Sequence, residues 1–350
     1  MHNLELTEDQ TLIVETVRSY VADQVAAGTL EADEHRHFVR AEFSGLAELG
    51  VFGMSVPEAT GGAGMGLLPL VAAAEEIGGT NGSLGRLLLG QVQSAAALAQ
   101  AGGGPLGEVL EGSKLAVFVG PEHGVKLEGV ALQGAAELVP GGGEAALFVV
   151  AAVEGTEKVL CMVDAAATRR EALRSLGFAS TAPARVHFGG VAATVVARGA
   201  AASAAVDAAQ TAGWLAGAGL AVGMAHASLQ AGRKHAAERI AFGKPLLAQR
   251  AVLRKLVECK RATDAAKQLA WHAARLADAG LESLAAVATA RIAAVDAAVA
   301  AADEAIQILG GYGYTVEYHV ERHYRDAKTL EVLDGGNEAL KNLLAQLQFA

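Results

Sequence analysis

The run AIQILGGYGYTVEYHVERHYRDAKTLEVLDGGNEAL, Ala305 to Leu340, decides how this chain is read. It holds a glycine hinge (Gly310, Gly311, Gly313), four tyrosines, an acid–base segment from Glu317 to Asp326, and Asp334 ahead of Gly335-Gly336. Plain helical scaffolding has no need for that density of special residues. Glycines at a helix end clear side chains from places where backbone N–H groups can meet phosphate oxygens. A simple helix–helix turn would use them equally well. The alternating acids and arginines read as a structural salt-bridge network. Asp334 suits the N-cap of a helix beginning in Gly335-Gly336-Asn337-Glu338.

Upstream lies ERIAFGKPLLAQ, Glu238 to Gln249. An arginine at a helix end, Arg239, can pair bidentately with a pyrophosphate. Phe242 supplies a flat apolar face, and Gly243 and Pro245 break the helix so that a diphosphate can approach the backbone. Taken alone, a loop with one arginine is equally a solvated surface.

Outward from these segments the chain divides by pattern. Residues 4–110 read as helical: Thr7 with Gln10 forms a capping box, and Leu12, Ile13, Val17, Tyr20 and Val21 recur at helical spacing. A second helix is expected from His37 to Leu49, stopped by Gly50. From Leu115 to Val191 short apolar or alternating runs separated by Gly and Pro predict a small β-sandwich or barrel. Long helices fit 203–237, 246–279 and 282–308. The expected fold class is α+β with segregated elements: an N-terminal helical domain (1–112), a middle β domain (113–198) and a C-terminal four-helix bundle (199–350). No strand–GxGxxG–helix unit, Walker loop, GxSxG elbow or HExxH occurs.

Composition narrows the function classes. The 350 residues are 52% apolar, only 5% aromatic, and carry a formal charge of −10. That charge argues against a nucleic-acid partner, which needs a basic surface. Two cysteines far apart, Cys161 and Cys259, fit a reducing compartment, and the acidic N-terminus lacks a signal pattern, so the expectation is the cytosol. Ala208 to Gly232 is uncharged and long enough to span a membrane, yet it is mostly Ala and Gly. A buried bundle helix is the better reading, with Gly213/Gly217 and Gly219/Gly223 permitting close helix contact. His35-Arg36-His37 fits no standard metal spacing, so no metal is expected. Trp214 and Trp271 read as core.

With these residues in view, the chain resembles the acyl-CoA dehydrogenases, flavoenzymes that remove two hydrogens from the α and β carbons of a CoA thioester. In that family an R-x-x-F-G-x-x-x-x-x-Q segment contacts the ADP half of FAD; Arg239, Phe242 and Gln249 match it. A Q-x-x-G-G-x-G-Y motif touches the diphosphate and ADP half of a flavin bound by a neighbouring subunit; Gln307, Gly310 and Gly311 match it. Glu317 to Asp326 follows E-Y-P-V-E-R-x-Y-R-D with His319 in place of Pro. The pattern L-G-x-x-G-x-x-x-P-E-x-x-G-G-x-G is met from Leu49 to Gly64. Ser175 to Thr181 also looks intact. Two places depart from the family. The T-E-P-x-A-G-S-D stretch that meets the flavin ring reads Phe118-Val119-Gly120-Pro121-Glu122-His123-Gly124, without its hydroxyls. The catalytic glutamate, commonly in Glu-Gly-Thr, is Asp334-Gly335-Gly336. Some relatives place the glutamate on an earlier helix, near Gly213 here, where no acid stands.

The resemblance implies FAD as cofactor, an acyl-CoA substrate, and electron-transfer flavoprotein as acceptor. It makes Asp334 the candidate base, with Glu338 a weaker one; capping and catalytic roles for Asp334 both stay open. The hydrogen that the base removes is the weakly acidic α proton, and a carboxylate in a dry cleft suits that task. Three arrangements are consistent with the sequence. One is a self-sufficient homo-oligomeric FAD enzyme. The second is a partly degenerate subunit completing a longer paralogue's flavin site, like the short chains of heteromeric steroid side-chain dehydrogenases. The third is a non-catalytic scaffold or thioester-binding relative.

Overall fold

The computed structural model describes residues 6–349. Its first element is α1 (Glu8–Tyr20), opened by the expected capping box: Thr7 Oγ1 accepts from Gln10 N and Gln10 Oε1 accepts from Thr7 N. A π turn and a 3₁₀ turn carry the chain into α2 (Thr29–His35). Then comes α3 (Arg40–Glu48), closed by Gly50 at φ 72. This helix begins three residues later than the sequence suggests, because Arg36 turns left-handed and residues 37–39 run non-helical. Next are α4 (Leu67–Gly78), α5 (Gly82–Ala101) and α6 (Leu106–Leu110).

The middle region has ten strands: β1 (Ala116–Val119), β2 (Lys126–Glu128), β3 (Ala131–Gln133), β4 (Ala135–Val139), β5 (Leu147–Glu154), β6 (Glu157–Asp164), β7 (Arg169–Ala172), β8 (Ala184–His187), β9 (Val191–Ala192) and β10 (Thr194–Arg198). The larger sheet runs β10-β6-β5-β2-β3-β9 with β1 parallel to β5; β4-β8-β7 form the second sheet. Val117, Phe148 and Val150 from the first sheet share a core with Val139 and Val186 from the second, which is a sandwich arrangement. The long runs β5 and β6 are the ones their alternating or continuous apolar pattern announces. The two- and three-residue strands carry too little pattern to be read in advance.

Three long helices follow, α7 (Gly199–Glu238), α8 (Arg250–Asp278) and α9 (Leu284–Leu309), and then, after a glycine turn, the shorter α10 (Val320–Leu330); α11 (Gly336–Phe349) ends the described chain. A tiny hairpin, β11 (Ile240–Ala241) with β12 (Lys244–Pro245), separates α7 from α8. Residues 246–248 form a 3₁₀ turn rather than the first turn of α8, because Pro245 and extended Gln249 interrupt helical geometry.

The centre of the molecule is α7, packed on α4, α5, α8 and α9. Alanine and glycine make this possible. A methyl group at Gly219 or Gly223 would overlap the carbonyl oxygens of Val71 or Glu75 on α4. Gly213 and Gly217 instead make room for Gln93 and Arg291 side chains. Both α7 and the Leu284–Tyr314 run are long and apolar enough to cross a membrane by length and composition alone, but 89% of the apolar window of α7 is buried inside this chain. It is the core helix expected. Trp214 is buried as expected; Trp271 is only half-buried, beside the cations of Lys267 and Arg275.

The acid–base segment acts structurally. Arg325 joins Asp33 on α2 (2.5 Å) and Glu321 on its own helix (2.7 Å). Buried Asp326 accepts from Phe178 N, and Thr329 Oγ1 from Gly177 N, so the Ser175–Thr181 turn is fastened to α10.

Candidate active site

Between α10 and α11 the backbone takes three successive left-handed residues: Asp334 (φ 56), Gly335 (φ 86) and Gly336 (φ 71). The glycines adopt this at no steric cost, and Asp tolerates it better than most side chains. The turn is held by Trp214 on α7, whose indole N–H donates to the Asp334 carbonyl at 3.3 Å. Its effect is to aim the Asp334 side chain inward, where only 12% of it meets solvent.

There Asp334 meets Arg86 of α5, itself 5% exposed, at 2.8 Å (Nη2 to Oδ1). The capping role is therefore overturned: the Asp334 carboxylate serves an arginine 248 positions away, not the amides of α11. Its second oxygen, Oδ2, is buried and has no hydrogen-bond partner. A cavity of about 320 Å³ opens beside this pair, walled by Phe118, Glu122, His123 and Leu138–Pro140 from the β sandwich and by Val332–Gly335. The middle-domain departures noted in the sequence thus line the same cavity as Asp334.

Glu122 folds back over Gly120, where any side chain would collide with its carboxylate. Its carboxyl is pushed up to about 7, first by enclosure and second by the negative charge of Asp334. Water still reaches it through the cavity mouth, since 29% of the side chain is exposed, which limits what the shift contributes to stability. His123, 3.6 Å from Glu122, is lowered by burial, so the two meet near neutrality as a weakly charged contact rather than a firm ion pair. Behind the cavity Arg291 of α9 is fully enclosed and pushed down to about 10 by burial, with the Leu330 carbonyl as hydrogen-bond acceptor at 2.9 Å.

Glu338, the weaker candidate base, lies elsewhere. Its side chain is 85% exposed and paired with Lys341 on α11. The position near Gly213 holds no acid either; the Gln93 side chain fills that space.

The sequence-matched cofactor residues occupy a second site. Arg239, Gly310 and Gly311 line one cavity of about 470 Å³ with His235 and Tyr312. A side chain at Gly310 or Gly311 would meet no atom of this chain, and Gly310 has φ 63. These glycines leave a bare backbone facing outward, a form suited to a diphosphate approaching from another surface. Phe242 stands at φ 53 with 97% of its surface exposed. Such an apolar, strained side chain in the open is a marker of contact with something outside this chain. Exposed Gln307 and half-buried Gln249 lie outside that cavity lining, and Gln249 ties its own loop through Ala241 O at 3.5 Å. The two cavities have no lining residue in common.

Arg86 and Arg291, which stand beside and behind the Asp334 cavity, are residues the motif reading did not single out. A signal existed: Arg86 is the only charged residue between Glu76 and Glu108, and Arg291 the only basic one in α9.

Comparison with known proteins agrees with this architecture. Residues 7–103 match the family model "Acyl-CoA dehydrogenase, N-terminal domain" and residues 213–348 match "Acyl-CoA dehydrogenase, C-terminal domain". The chain belongs to the acyl-CoA dehydrogenase family. It is 29% identical to the human mitochondrial short-chain specific acyl-CoA dehydrogenase over 98% of this chain and 90% of that one. It is 28% identical to benzylmalonyl-CoA dehydrogenase of Aromatoleum aromaticum over 98% and 99%. The fold superposes on butyryl-CoA dehydrogenase of Megasphaera elsdenii with TM-score 0.90, at 24% identity and 98% coverage of each chain. FAD is the cofactor that goes with this family, and the open glycine-lined cavity beside Arg239 fits its ADP half.

Proposed function

We propose that this chain is a FAD-dependent acyl-CoA dehydrogenase in which Asp334 Oδ2 takes the α proton of a CoA thioester. The observation that carries this is the division of labour at the Asp334 carboxylate: Oδ1 is held by Arg86, while Oδ2 is buried, unpartnered and beside the cavity. A thioester carbonyl acidifies its α C–H, and a base needs heavy atoms within about 3 Å to remove that proton. Arg86 fixes the carboxylate against rotation, so the reach lost by using Asp in place of Glu is met by orientation rather than by flexibility. Phe118, Val332 and Leu333 give the cavity an apolar side, against which a bound acyl chain would displace water from Oδ2. FAD, when bound, supplies the acceptor for the β hydride. Arg239, Gly310 and Gly311 line one cavity, where the arginine would pair with the diphosphate and the glycines would admit it to the backbone.

The test is anaerobic mixing of the FAD-loaded protein with a short acyl-CoA. Loss of the visible flavin absorbance in the wild type, and its persistence in Asp334→Asn, is the expected result. Bleaching in the variant at the wild-type rate removes Asp334 from the role.

A second reading draws on the outward face. Arg239, Phe242 and the glycine turn are open, and they share nothing with the Asp334 cavity. Such a face serves a flavin held mainly by another subunit, either a second copy or a longer paralogue as in heteromeric steroid side-chain dehydrogenases. Electron-transfer flavoprotein is the acceptor that goes with either arrangement. Flavin per polypeptide, measured for the chain purified alone, separates a second copy from a paralogue: about one per chain favours sites made by this chain and its own copies, none the heteromer.

A further inference from the structure

Gly120 is not explained by its backbone. It is extended (φ −74, ψ 170), a geometry any residue adopts, so no turn requires a glycine there. The glycine makes space instead. A Cβ at this position would stand 2.2 Å from Glu122 Oε2 and 2.7 Å from its Cδ and Oε1. Gly120 thus yields its side-chain place to the Glu122 carboxyl, just past the end of β1 on the wall of the Asp334 cavity. Among the described residues no other side chain hydrogen-bonds to that carboxyl; His123 is 3.6 Å away, outside hydrogen-bond range. The charged groups around it are committed elsewhere. Arg86 of α5 serves Asp334, Glu137 of β4 serves Arg185, and Glu154 of β5 serves Arg198. Burial first, and the charge of Asp334 second, hold Glu122 up to about 7, so its protonated form is well populated at neutral pH.

Resting on the acyl-CoA reading of this cleft, we infer that Glu122 is a second catalytic residue, whose carboxyl O–H donates to the thioester carbonyl oxygen while Asp334 Oδ2 takes the α proton. In that step the α C–H bond breaks, its electron pair shifts toward the thioester oxygen, and the proton goes to Oδ2. Glu122 keeps its own proton and shares it with the oxygen as charge develops there, which is where a fixed donor in an enclosed site has most effect. Two carboxyl groups on two walls of one cavity divide the work of base and donor, set apart by an ion pair on the one and enclosure on the other. Arg86 is no rival donor: its Nε and Nη1 are buried, whereas 29% of the Glu122 side chain is open. His123 also lines the cavity, but its imidazole, lowered by burial, donates alike on both sides of neutrality. A contact from Glu122 changes there, and that separates the two.

The probes are acetyl-CoA labelled with ¹³C at its carbonyl, which has no β carbon and cannot be dehydrogenated, and S-ethyl-CoA, the matching thioether without a carbonyl. Each is bound to the FAD-loaded protein, as wild type, Glu122→Gln and Glu122→Ala, and the labelled carbonyl stretch is read by infrared difference spectroscopy. In the wild type at about pH 6 the stretch is expected below its value in Glu122→Ala, and it climbs toward that value by about pH 8.5 as the donor ionises. Glu122→Gln, which installs an amide donor that does not titrate, keeps a lowered stretch at both pH values. Exchange of the acetyl protons into D₂O slows at least about tenfold in Glu122→Ala, the scale of one charge-assisted hydrogen bond, while S-ethyl-CoA affinity is unchanged. The wild-type pH series stands even if neither variant folds. A carbonyl stretch indifferent to pH overturns the assignment and leaves the acyl-CoA reading intact. A flavin absorbance that titrates in the ligand-free protein, and ceases to in Glu122→Gln while the carbonyl stretch stays fixed, turns the carboxyl toward the flavin and overturns it as well. If neither probe binds, the assignment falls together with the acyl-CoA reading.

Discussion

The face around Arg239 and the cleft around Asp334 are built on opposite plans. The first is open: its glycines carry no neighbours, its aromatic side chain is almost wholly in solvent, and its arginine meets the outside. The second is enclosed, with an ion pair, a carboxyl pushed toward neutrality and unpartnered donors packed around about 320 Å³. The difference teaches where free energy resides. On the open face, affinity depends on what arrives, because nothing is strained or desolvated beforehand except the Phe242 backbone. In the cleft the cost of burying charge is already met by the folded chain, so the groups there are oriented before any ligand enters.

Altering each region in turn sharpens that contrast. The largest effect is expected at Asp334→Asn, which keeps an acceptor for Arg86 but removes the base: turnover with a short acyl-CoA should fall by about 10²–10⁴-fold with flavin content unchanged. On the open face, Arg239→Ala should weaken FAD binding by roughly 10–100-fold, the worth of one charge-assisted hydrogen bond, without lowering turnover at saturating flavin. Titration of the stripped protein with FAD reads this directly, and an unchanged affinity would detach the open face from the cofactor. Away from both sites, Gly223→Ala forces α7 off the Glu75 carbonyl and should lower stability by about 1–3 kcal/mol, read in denaturant unfolding.

The smallest effect concerns pH. Glu122 has its folded-state value raised from 4.5 to about 7, so the folded state binds the proton more tightly than the unfolded one. Its contribution to stability is fully present below about 4.5 and is lost as pH rises through about 7. Glu122→Gln should flatten that part of the stability profile, making the variant gain relative to wild type between about pH 5 and pH 7.5. Parallel profiles for the two proteins would show that water in the cavity mouth screens the carboxyl completely.

How much of this was legible in the sequence follows from the range of each interaction. The capping box at Thr7, the long apolar strands and the alanine–glycine helix α7 are local or periodic features, and each appears where its pattern places it. The start of α3 and the first turn of α8 went astray because single residues, a left-handed Arg36 and an extended Gln249, override helical propensity. Motif matching singled out Asp334 and the Arg239–Gly311 residues, because their spacing is contained within short runs. It could not find the partner of Asp334. Arg86 lies 248 residues away on a helix with no motif of its own, and only its solitary charge in an apolar stretch set it apart. The same distance concealed why Asp334 does not cap α11: an arginine from another domain had already engaged its carboxylate.

The account rests on Asp334 Oδ2 removing the α proton, and exchange of that proton tests it apart from hydride transfer. The FAD-loaded protein is incubated anaerobically with butyryl-CoA in D₂O, and deuterium at the α carbon of recovered thioester is followed by mass spectrometry. Wild type should introduce deuterium, and Asp334→Asn, shown to bind the thioester, should not. Exchange by the variant at the wild-type rate would contradict the account and move the proton to another group in the cleft, with Glu122 the first to examine.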